Sequence, residues 1–372
     1  MGTFSELISS FPDGELSILC VWPRYYSKYP PLGLLKLSAY HRRRGDMVQL
    51  VRPPEVPEFT PDVIYVTSLF TYAWEKVKEA VEYYRRLFPG KPVVLGGIYA
   101  SLMPEHAREE IKPDYLWKGI VPELEEMLPD YSLVPSWKNS IIFTSRGCIR
   151  NCSFCAVPVL EPDFVCRPFA GDLINKKYNQ AIFWDNNFLA SPYHQQILEE
   201  LINIKKTKRH FQIDFNQGLD ARLVTPENAA AIASLRMNYV RLAYDSTCDR
   251  KALKRAIDML CEAGVNKKRF VIYAMFNFKD TPDDFLSRIQ DLLSWGVAVY
   301  PMRYQPTDAL KKDSYIAPGW TPELLEMVAD ARRVLGVHGA WPPYDALKRK
   351  FLDASDLRNA LILRKSKEVV AT

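Results

Sequence analysis

No run of eighteen apolar residues occurs in this sequence, so no membrane-spanning helix is predicted. The first twenty residues contain no basic segment followed by a long apolar core, which argues against a secretory signal. Internal repeats and low-complexity segments are absent as well. Together these absences predict a cytoplasmic protein.

A strong excess of charge of one sign is also lacking. The 49 Lys and Arg residues are balanced by 44 Asp and Glu residues, which leaves a formal net charge of +5. This balance does not indicate a nucleic-acid-binding protein. The basic clusters "HRRRG" (41–45) and "KKTKRH" (205–210) lie at predicted helix ends, where positive charge favours the helix dipole, and we interpret both as solvated faces.

The length and the apolar content predict two domains. A chain of 372 residues that is 48% hydrophobic can bury a sizeable core and exceeds one average domain. Short apolar strands such as "ELSILCVW", "VIYVTSL" and "VVLGG" alternate with amphipathic helices in the first third. This alternation predicts a doubly wound, Rossmann-like parallel α/β sheet in residues 1–130, with ligands at the carboxyl ends of its strands.

The rest of the chain predicts a second α/β unit. Residues 131–140 have the proline and polar content of a linker. Six further strand candidates, separated by helical segments, predict a partial (βα)6 parallel barrel over residues 141–319, with its active site at the carboxyl ends of the strands. Residues 320–372 predict a helical C-terminal extension.

Three of the seven cysteines lie within eight residues, in "CIRNCSFC". Because disulfides are rare in a reducing compartment, Cys148, Cys152 and Cys155 indicate metal binding or catalysis. Zinc would need a fourth, distant ligand, whereas a four-iron cluster held by three cysteines would keep one iron open for chemistry. Cys166 and Cys248 lie on predicted βα loops, and no role is predicted for either.

The spacing C-x3-C-x2-C directly after the first barrel strand resembles that of the radical S-adenosylmethionine (SAM) superfamily. The resemblance implies a [4Fe–4S] cluster whose open iron binds the amino and carboxylate groups of SAM, and an electron transfer that produces a 5′-deoxyadenosyl radical. It also implies a reductant such as flavodoxin or ferredoxin as partner. Phe154, before the third cysteine, matches the family's aromatic residue beside the adenine. The substrate is not readable from the sequence.

Three later sequence segments of the predicted barrel also resemble this superfamily and contain candidate SAM contacts. "FWDNNF" stands where relatives contact the SAM amino group, although the usual Gly-Gly-Glu is absent, and "FQIDFNQGLDARLVT" and "LAYDS" match later strand ends. The candidates are Asp185, Asn186, Asn187, Asn216, Gln217, Arg222, Asp245 and Ser246. The alternative for each is a polar residue that caps the next helix.

The first domain resembles the cobalamin-binding-like domain that precedes many radical SAM cores. The resemblance implies cobalamin, with its nucleotide tail against Ser68, and with Gly96 and Gly97 leaving room at a strand end. The Asp-x-His-x-x-Gly loop that supplies a histidine to cobalt is absent, and "RYYSKYPPLG" stands in its place. Any bound cobalamin would therefore have no protein histidine on cobalt.

The resemblance implies an enzyme, with cobalamin-dependent methyl transfer to an unactivated carbon as the leading hypothesis. One alternative is a cobalamin-independent radical SAM rearrangement, C–C or C–S bond formation or oxidation, with a vestigial first domain. A second alternative is an iron–sulfur module that senses redox state.

Overall fold

The structure is a computed structural model that describes residues 3–335 and 345–362. It confirms the predicted mixed α/β class with parallel sheets. Among the described residues, every strand pair is parallel except one short hairpin near the cysteines. No helix in the described ranges is long and apolar enough to cross a lipid bilayer.

The N-terminal part contains a five-stranded parallel sheet with strand order β2-β1-β3-β4-β5. This order is a doubly wound arrangement, as the alternation of strands and helices predicted. The elements, in chain order, are α1 (Phe4–Ser9), β1 (Ser17–Val21), α2 (Leu32–Arg43), β2 (Met47–Val51), β3 (Val63–Ser68), α3 (Trp74–Leu87), β4 (Val93–Gly97), α4 (Ile98–Leu102), α5 (Pro104–Glu110) and β5 (Tyr115–Leu116).

The apolar periodicity of the sequence explains how these elements pack. In α3, the buried residues Val77, Ala80, Val81 and Tyr84 recur at intervals of three and four, so one helix face covers the sheet. Strand β1 is buried along nearly its whole length because helices lie on both faces of the sheet.

The second part contains the six predicted βα strands together with a hairpin near the cysteines. The elements are β6 (Ser140–Ile142), β7 (Ser145–Arg146), α6 (Val157–Leu160), β8 (Val165–Cys166), β9 (Gln180–Phe183), α7 (His194–Thr207), β10 (Gln212–Phe215), α8 (Pro226–Ser234), β11 (Val240–Ala243), α9 (Arg250–Glu262), β12 (Phe270–Phe276), α10 (Pro282–Trp295) and β13 (Ala298–Arg303).

These six strands form two three-stranded parallel sheets, ordered β10-β9-β6 and β11-β12-β13. The facing edges of the two sheets are β10 and β11. A backbone hydrogen bond links them just beyond the end of β10, where the Leu219 amide donates to the Arg241 carbonyl at 2.8 Å. One apolar core runs through both sheets and includes Phe183, Phe215, Leu242 and Phe276. A single barrel closed around all six strands stays a prediction.

The predicted linker and C-terminal extension are both packed against the rest of the chain. Tyr131 is buried, and its hydroxyl accepts a hydrogen bond from the Ile141 amide at 2.8 Å. Helices α11 (Pro322–Leu335), α12 (Asp345–Leu352) and α13 (Leu357–Leu361) follow β13. Leu325, Phe351 and Leu361 belong to the core of the six-stranded part, while predicted helical residues 336–344 and 363–372 lie outside the described residues.

The carboxyl ends of the N-terminal sheet face those of the six-stranded part. After β1, the Tyr29 hydroxyl accepts a hydrogen bond from Asn216 Nδ2 at 2.9 Å, directly beyond β10. After β3, the Thr71 hydroxyl donates to the Ala309 carbonyl at 2.7 Å, beyond β13. Because parallel α/β sheets bind ligands at this edge, the two candidate binding edges lie next to each other.

Candidate functional site

The cysteine loop lies at the carboxyl end of β6, enclosed by the β7–β8 hairpin. Residues 147–164 connect the two hairpin strands, in which Ser145 pairs with Cys166. Gly147 opens the loop with a positive φ of 74°, and a Cβ there would come within 2.3 Å of the Asp163 carbonyl oxygen. The close approach of the two loop ends therefore requires glycine at this position.

The three thiols are partly buried and lie within electrostatic reach of one another. Burial raises the pKa of Cys152, and the neighbouring Cys155 and Cys148 thiols raise it further. Burial also raises the pKa of Cys155, although the Val157 amide donates a hydrogen bond to its sulfur. The Cys152 and Cys155 thiols therefore lose their protons less readily than free cysteines, and a bound metal would stabilise their thiolates.

Backbone amide donors point at these sulfurs, as iron–sulfur sites commonly require. The Arg150 amide donates to Cys148 Sγ at 3.3 Å, in addition to the Val157 amide at Cys155. In residues 3–335 and 345–362, no three His, Cys, Asp or Glu side chains stand close enough together to hold a single metal ion.

Asn187 links the cysteine loop to the turn after β10. Its Nδ2 lies 3.7 Å from Cys148 Sγ and donates to Asp220 Oδ2 at 3.2 Å. The Asn187 Oδ1 atom is buried and has no hydrogen-bond partner among the described residues. Because buried polar atoms are almost always paired, this oxygen is available to accept a hydrogen bond from a ligand beside the thiols.

Asp220 joins two arginines on the other side of Asn187. It accepts from Arg150 Nε at 3.1 Å and from Arg222 Nε at 2.7 Å. Burial alone would raise the pKa of Asp220, but the hydrogen bonds from Arg222 and Arg150 outweigh it and hold the pKa below its usual value. The predicted SAM residue Arg222 is therefore already paired, although its side chain remains 45% exposed.

Asp185 and Asn186, which were predicted to contact SAM, both form hydrogen bonds with other residues of the chain. Asp185 is buried, and its Oδ1 accepts from the Thr144 amide, the Thr144 hydroxyl and the Ser145 hydroxyl at 2.6–3.0 Å. Burial raises the pKa of Asp185 to about 6, and its Oδ2 has no partner among the described residues. Asn186 donates to Glu161 Oε2 at 2.9 Å.

Glu161 and Arg146 connect the cysteine loop to the N-terminal part. Glu161 accepts from the Gly147 amide at 2.7 Å and from Arg146 Nη1 at 3.0 Å. Arg146 also makes a bidentate pair with Glu125, at 2.6 and 3.0 Å, and Lys36 Nζ donates to the same carboxylate at 3.1 Å. This partly buried ionic chain reaches from α2 to the residue before Cys148.

The other predicted barrel residues fall into three groups. Asn216 donates to Tyr29, and Gln217 is exposed. Burial raises the pKa of Asp245 to about 6, and its Oδ1 accepts from the Met275 amide at 3.3 Å. Ser246 accepts from the Cys248 amide at 3.2 Å and so caps the following turn, which was the alternative to a SAM contact.

Phe154, the predicted neighbour of the SAM adenine, directly precedes Cys155 and packs against Phe278. Its ring meets that of Phe278 edge to face, with centroids 5.6 Å apart. The Phe154 ring is only partly buried, so the pair could support a flat group that approaches the thiols from the strand ends.

The residues predicted to hold a cobalamin tail contact one another. Ser68 is buried, its hydroxyl donates to the Gly96 carbonyl at 2.8 Å, and it accepts from the Ala100 amide at 3.2 Å. Gly97 has φ of 108°, and a Cβ there would lie 2.3 Å from the Ser68 carbonyl oxygen. Packing between β3 and β4 therefore requires glycine at residue 97, whether or not a ligand binds.

Asp220, Glu161 and Tyr29 were missed by the sequence reading. Asp220 and Tyr29 lie within stretches quoted for the resemblance but were not among the candidate contacts. Glu161 lies beyond the cysteine motif, and only the hairpin that returns the chain to Gly147 brings it to the site.

Comparison with known proteins leaves the family open. No family model matches the sequence, and no curated protein matches it. Among solved structures, the chain is similar to OxsB, described as a cobalamin-dependent S-adenosylmethionine radical enzyme, with 14% identity and a TM-score of 0.44 over 75% of this chain. The match covers 52% of OxsB, so this chain spans about half the length of that protein. A likeness of this degree does not establish a shared function.

Proposed function

We propose that this chain is a radical SAM enzyme that holds a [4Fe–4S] cluster through Cys148, Cys152 and Cys155. The observation that carries the proposal is the grouping of three thiols, with backbone amides donating to two of them, at the carboxyl end of a parallel strand. Three thiolate ligands suit a cluster with an exchangeable position, and this edge of a parallel sheet is where such folds bind substrates.

When bound and reduced, such a cluster supplies the electron that cleaves SAM to methionine and a 5′-deoxyadenosyl radical. The protein would receive that electron from a flavodoxin or ferredoxin. The chain's own residues bind and orient the groups around the thiols. The backbone amides of Arg150 and Val157 stabilise negative charge on the sulfurs, since hydrogen bonds to a charged acceptor are strong.

The SAM molecule would lie against the side of the loop formed by Asn187, Arg222 and Phe154. The unpaired Asn187 Oδ1 can accept from an ammonium group, and the half-exposed Arg222 can pair with a carboxylate. The Phe154 ring offers an apolar face to a nucleobase. Asp245, whose pKa is raised to about 6 by burial, is a further acceptor at the end of β11.

Cobalamin-dependent methyl transfer depends on the N-terminal part, where the predicted tail contacts do not fit a ligand well. The Ser68 hydroxyl is buried with a donor and an acceptor already in place, and the space beside Gly97 is filled by the Ser68 backbone. The proposal therefore includes no step through cobalamin. It covers formation of the 5′-deoxyadenosyl radical. A rearrangement is balanced by that radical alone, whereas bond formation or oxidation would also require an electron acceptor.

Anaerobic reconstitution with iron and sulfide tests the proposal. We expect about four irons per chain, the number in one cubane, and an electron paramagnetic resonance signal of the reduced protein that shifts when SAM is added. The triple variant C148A/C152A/C155A should lose the iron, while Cys248→Ala, which removes an exposed thiol, should keep it. A triple variant that retains a full complement of iron would refute the cluster assignment.

A second measurement separates the two reaction types. Cobalt analysis after growth with excess cobalamin reports whether the N-terminal part binds the cofactor. Stoichiometric cobalt in the wild type would restore the methyl-transfer hypothesis. Absence of cobalt from a protein that cleaves SAM would support the cobalamin-independent alternative.

A further inference from the structure

The loops at the amino ends of the strands are strongly basic. Five loops precede β6, β9, β10, β11 and β12, at residues 135–139, 175–179, 205–211, 235–239 and 263–269, on the side opposite to the cysteine loop. They contain eleven Lys and Arg residues and no Asp or Glu. The eleven are Lys138, Lys176, Lys177, Lys205, Lys206, Lys208, Arg209, Arg236, Lys267, Lys268 and Arg269.

Contacts between the loops join them into one surface, the basic face. Lys208 Nζ donates to the Lys176 carbonyl at 2.8 Å, which links the loops before β9 and β10. Arg269 Nη1 donates to the Met237 carbonyl at 2.7 Å, which links those before β11 and β12.

The two linked pairs of loops are also near each other. Burial lowers the pKa of Lys205, and the positive charges of Arg236 and Arg269 lower it further. These charges therefore repel one another across a continuous surface, which is a cost that an anionic partner would remove.

The basic face makes the charge distribution of the chain asymmetric. Without its eleven cations, 38 of the 49 Lys and Arg residues remain against 44 Asp and Glu residues. The rest of the molecule is thus net acidic, and the overall charge of +5 conceals a concentrated positive region.

Helix dipoles account for only part of this pattern. Lys205 and Lys206 lie in the last turn of α7, where a cation is favourable. Lys267, Lys268 and Arg269 begin several residues after the end of α9, and their turn is capped by Asn266 instead. The dipole effect falls off within the last turn, so these cations need another explanation.

A polar groove of about 920 Å³ opens within the basic face. The cations Lys138 and Lys177 and the exposed imidazole of His210 belong to its lining. The lining also contains one carboxylate, Asp130, which is paired with Arg42. Most of the other polar lining residues are amides and tyrosines, namely Asn139, Asn175, Asn179, Gln180, Gln212, Tyr131 and Tyr178. The Gln212 Oε1 atom is buried and unpaired among the described residues, so the groove contains an unused acceptor.

We propose that the basic face binds a single-stranded segment of RNA. Lysines and arginines spread over several loops can follow a phosphate backbone, and amide and tyrosine side chains in a groove can contact unpaired bases. The face is built from loops and helix ends, so it presents no helix to enter the major groove of a duplex. This surface is independent of the cluster on the opposite side.

The exposed apolar residues argue against a lipid membrane as the partner. Among the described residues, none of the large hydrophobic side chains that are exposed lies in the five loops. A membrane-binding surface generally adds apolar side chains that enter the lipid to its basic residues. The basic face lacks them.

Fluorescence anisotropy with a 20-nucleotide unstructured RNA tests the proposal. The variant K138E/K177E/K268E reverses three exposed charges on the basic face whose side chains make no hydrogen bond or ion pair with any described residue. The matched control R86E/K251E/K312E makes the same change in net charge at exposed positions elsewhere. Circular dichroism establishes that both variants fold.

We expect the first variant to bind RNA at least tenfold more weakly than the wild type, and the control to bind within about twofold. Each lost phosphate contact should reduce the slope of log K against log salt by about 0.7, so the slope should fall by roughly 2. Equal weakening by both variants would show that only net charge matters and would overturn the proposal. Wild-type binding to heparin or to phosphatidylglycerol vesicles but not to RNA would overturn it as well.

Discussion

Removal of the Glu161 carboxylate should open the cysteine loop. Glu161 is 13% exposed at its side chain and accepts from the Gly147 amide, Asn186 Nδ2 and Arg146 Nη1 at 2.7–3.0 Å. A hydrogen bond to a charged group contributes about 1.5–3 kcal/mol. Arg146 keeps its pair with Glu125, so the net cost of Glu161→Ala to the closed loop is on the order of 3 kcal/mol. That corresponds to roughly a hundredfold larger open fraction.

The assay is the rate at which the reconstituted protein loses iron to a chelator under anaerobic conditions. We expect Glu161→Ala to lose iron about tenfold to a hundredfold faster than the wild type, and Glu161→Gln, which keeps one acceptor oxygen, to be intermediate. The matched control is Glu126→Ala, because Glu126 is 76% exposed and pairs only with Arg167 among the described residues. Equal rates for Glu161→Ala, Glu126→Ala and the wild type would refute the assignment of Glu161 as a positioning residue.

Three further predictions follow from the site. Because burial raises the pKa of Asp185 from 3.8 to about 6, its contribution to stability is complete at low pH and is lost as the pH rises through 6. Relative to Asp185→Asn, the free energy of unfolding of the wild type should therefore fall by about 2.5 kcal/mol between about pH 4 and pH 7, and parallel pH profiles in chemical denaturation would contradict this. Gly97→Ala should lower the melting temperature more than Gly14→Ala, since both have positive φ but only residue 97 would meet the Ser68 backbone; equal melting temperatures would contradict the packing argument. Arg222→Ala should weaken SAM binding by about tenfold in calorimetry with an unchanged cluster spectrum, and unaltered affinity would mean that Arg222 only pairs with Asp220.

The elements of the fold were largely predictable because the helices and strands have strong, different periodicities. All six strand candidates from residue 140 onward are strands in the structure, and helical segments separate them as expected. In α10, for example, Thr281 and Gly296 cap the two ends, and these residue types are typical of helix ends. Such signals are local, so a single sequence shows them.

The environment of the candidate site was less predictable because it depends on contacts between distant segments. Asp220 and Glu161 reach the cysteine loop only through the turn after β10 and the β7–β8 hairpin. Ser68 was interpreted as a ligand contact from its place at a strand end, but only the packed structure shows that its hydroxyl already has two partners.

The clustering of positive charge on the basic face was likewise not predictable from the sequence. Its lysines and arginines are dispersed over about 130 residues of sequence, from Lys138 to Arg269, and each cluster alone resembles a solvated helix end. A parallel topology brings every loop that precedes a strand to one side of the molecule. The overall net charge could not reveal that concentration.

The most direct test of the central claim is formation of 5′-deoxyadenosine from SAM by the reconstituted, dithionite-reduced protein, measured by mass spectrometry. We expect the wild type to produce 5′-deoxyadenosine and methionine in equal amounts, and C148A/C152A/C155A to produce neither above the rate of a protein-free control. A wild-type protein that holds a full iron–sulfur cluster and yet releases no 5′-deoxyadenosine would contradict the assignment of this chain as a radical SAM enzyme.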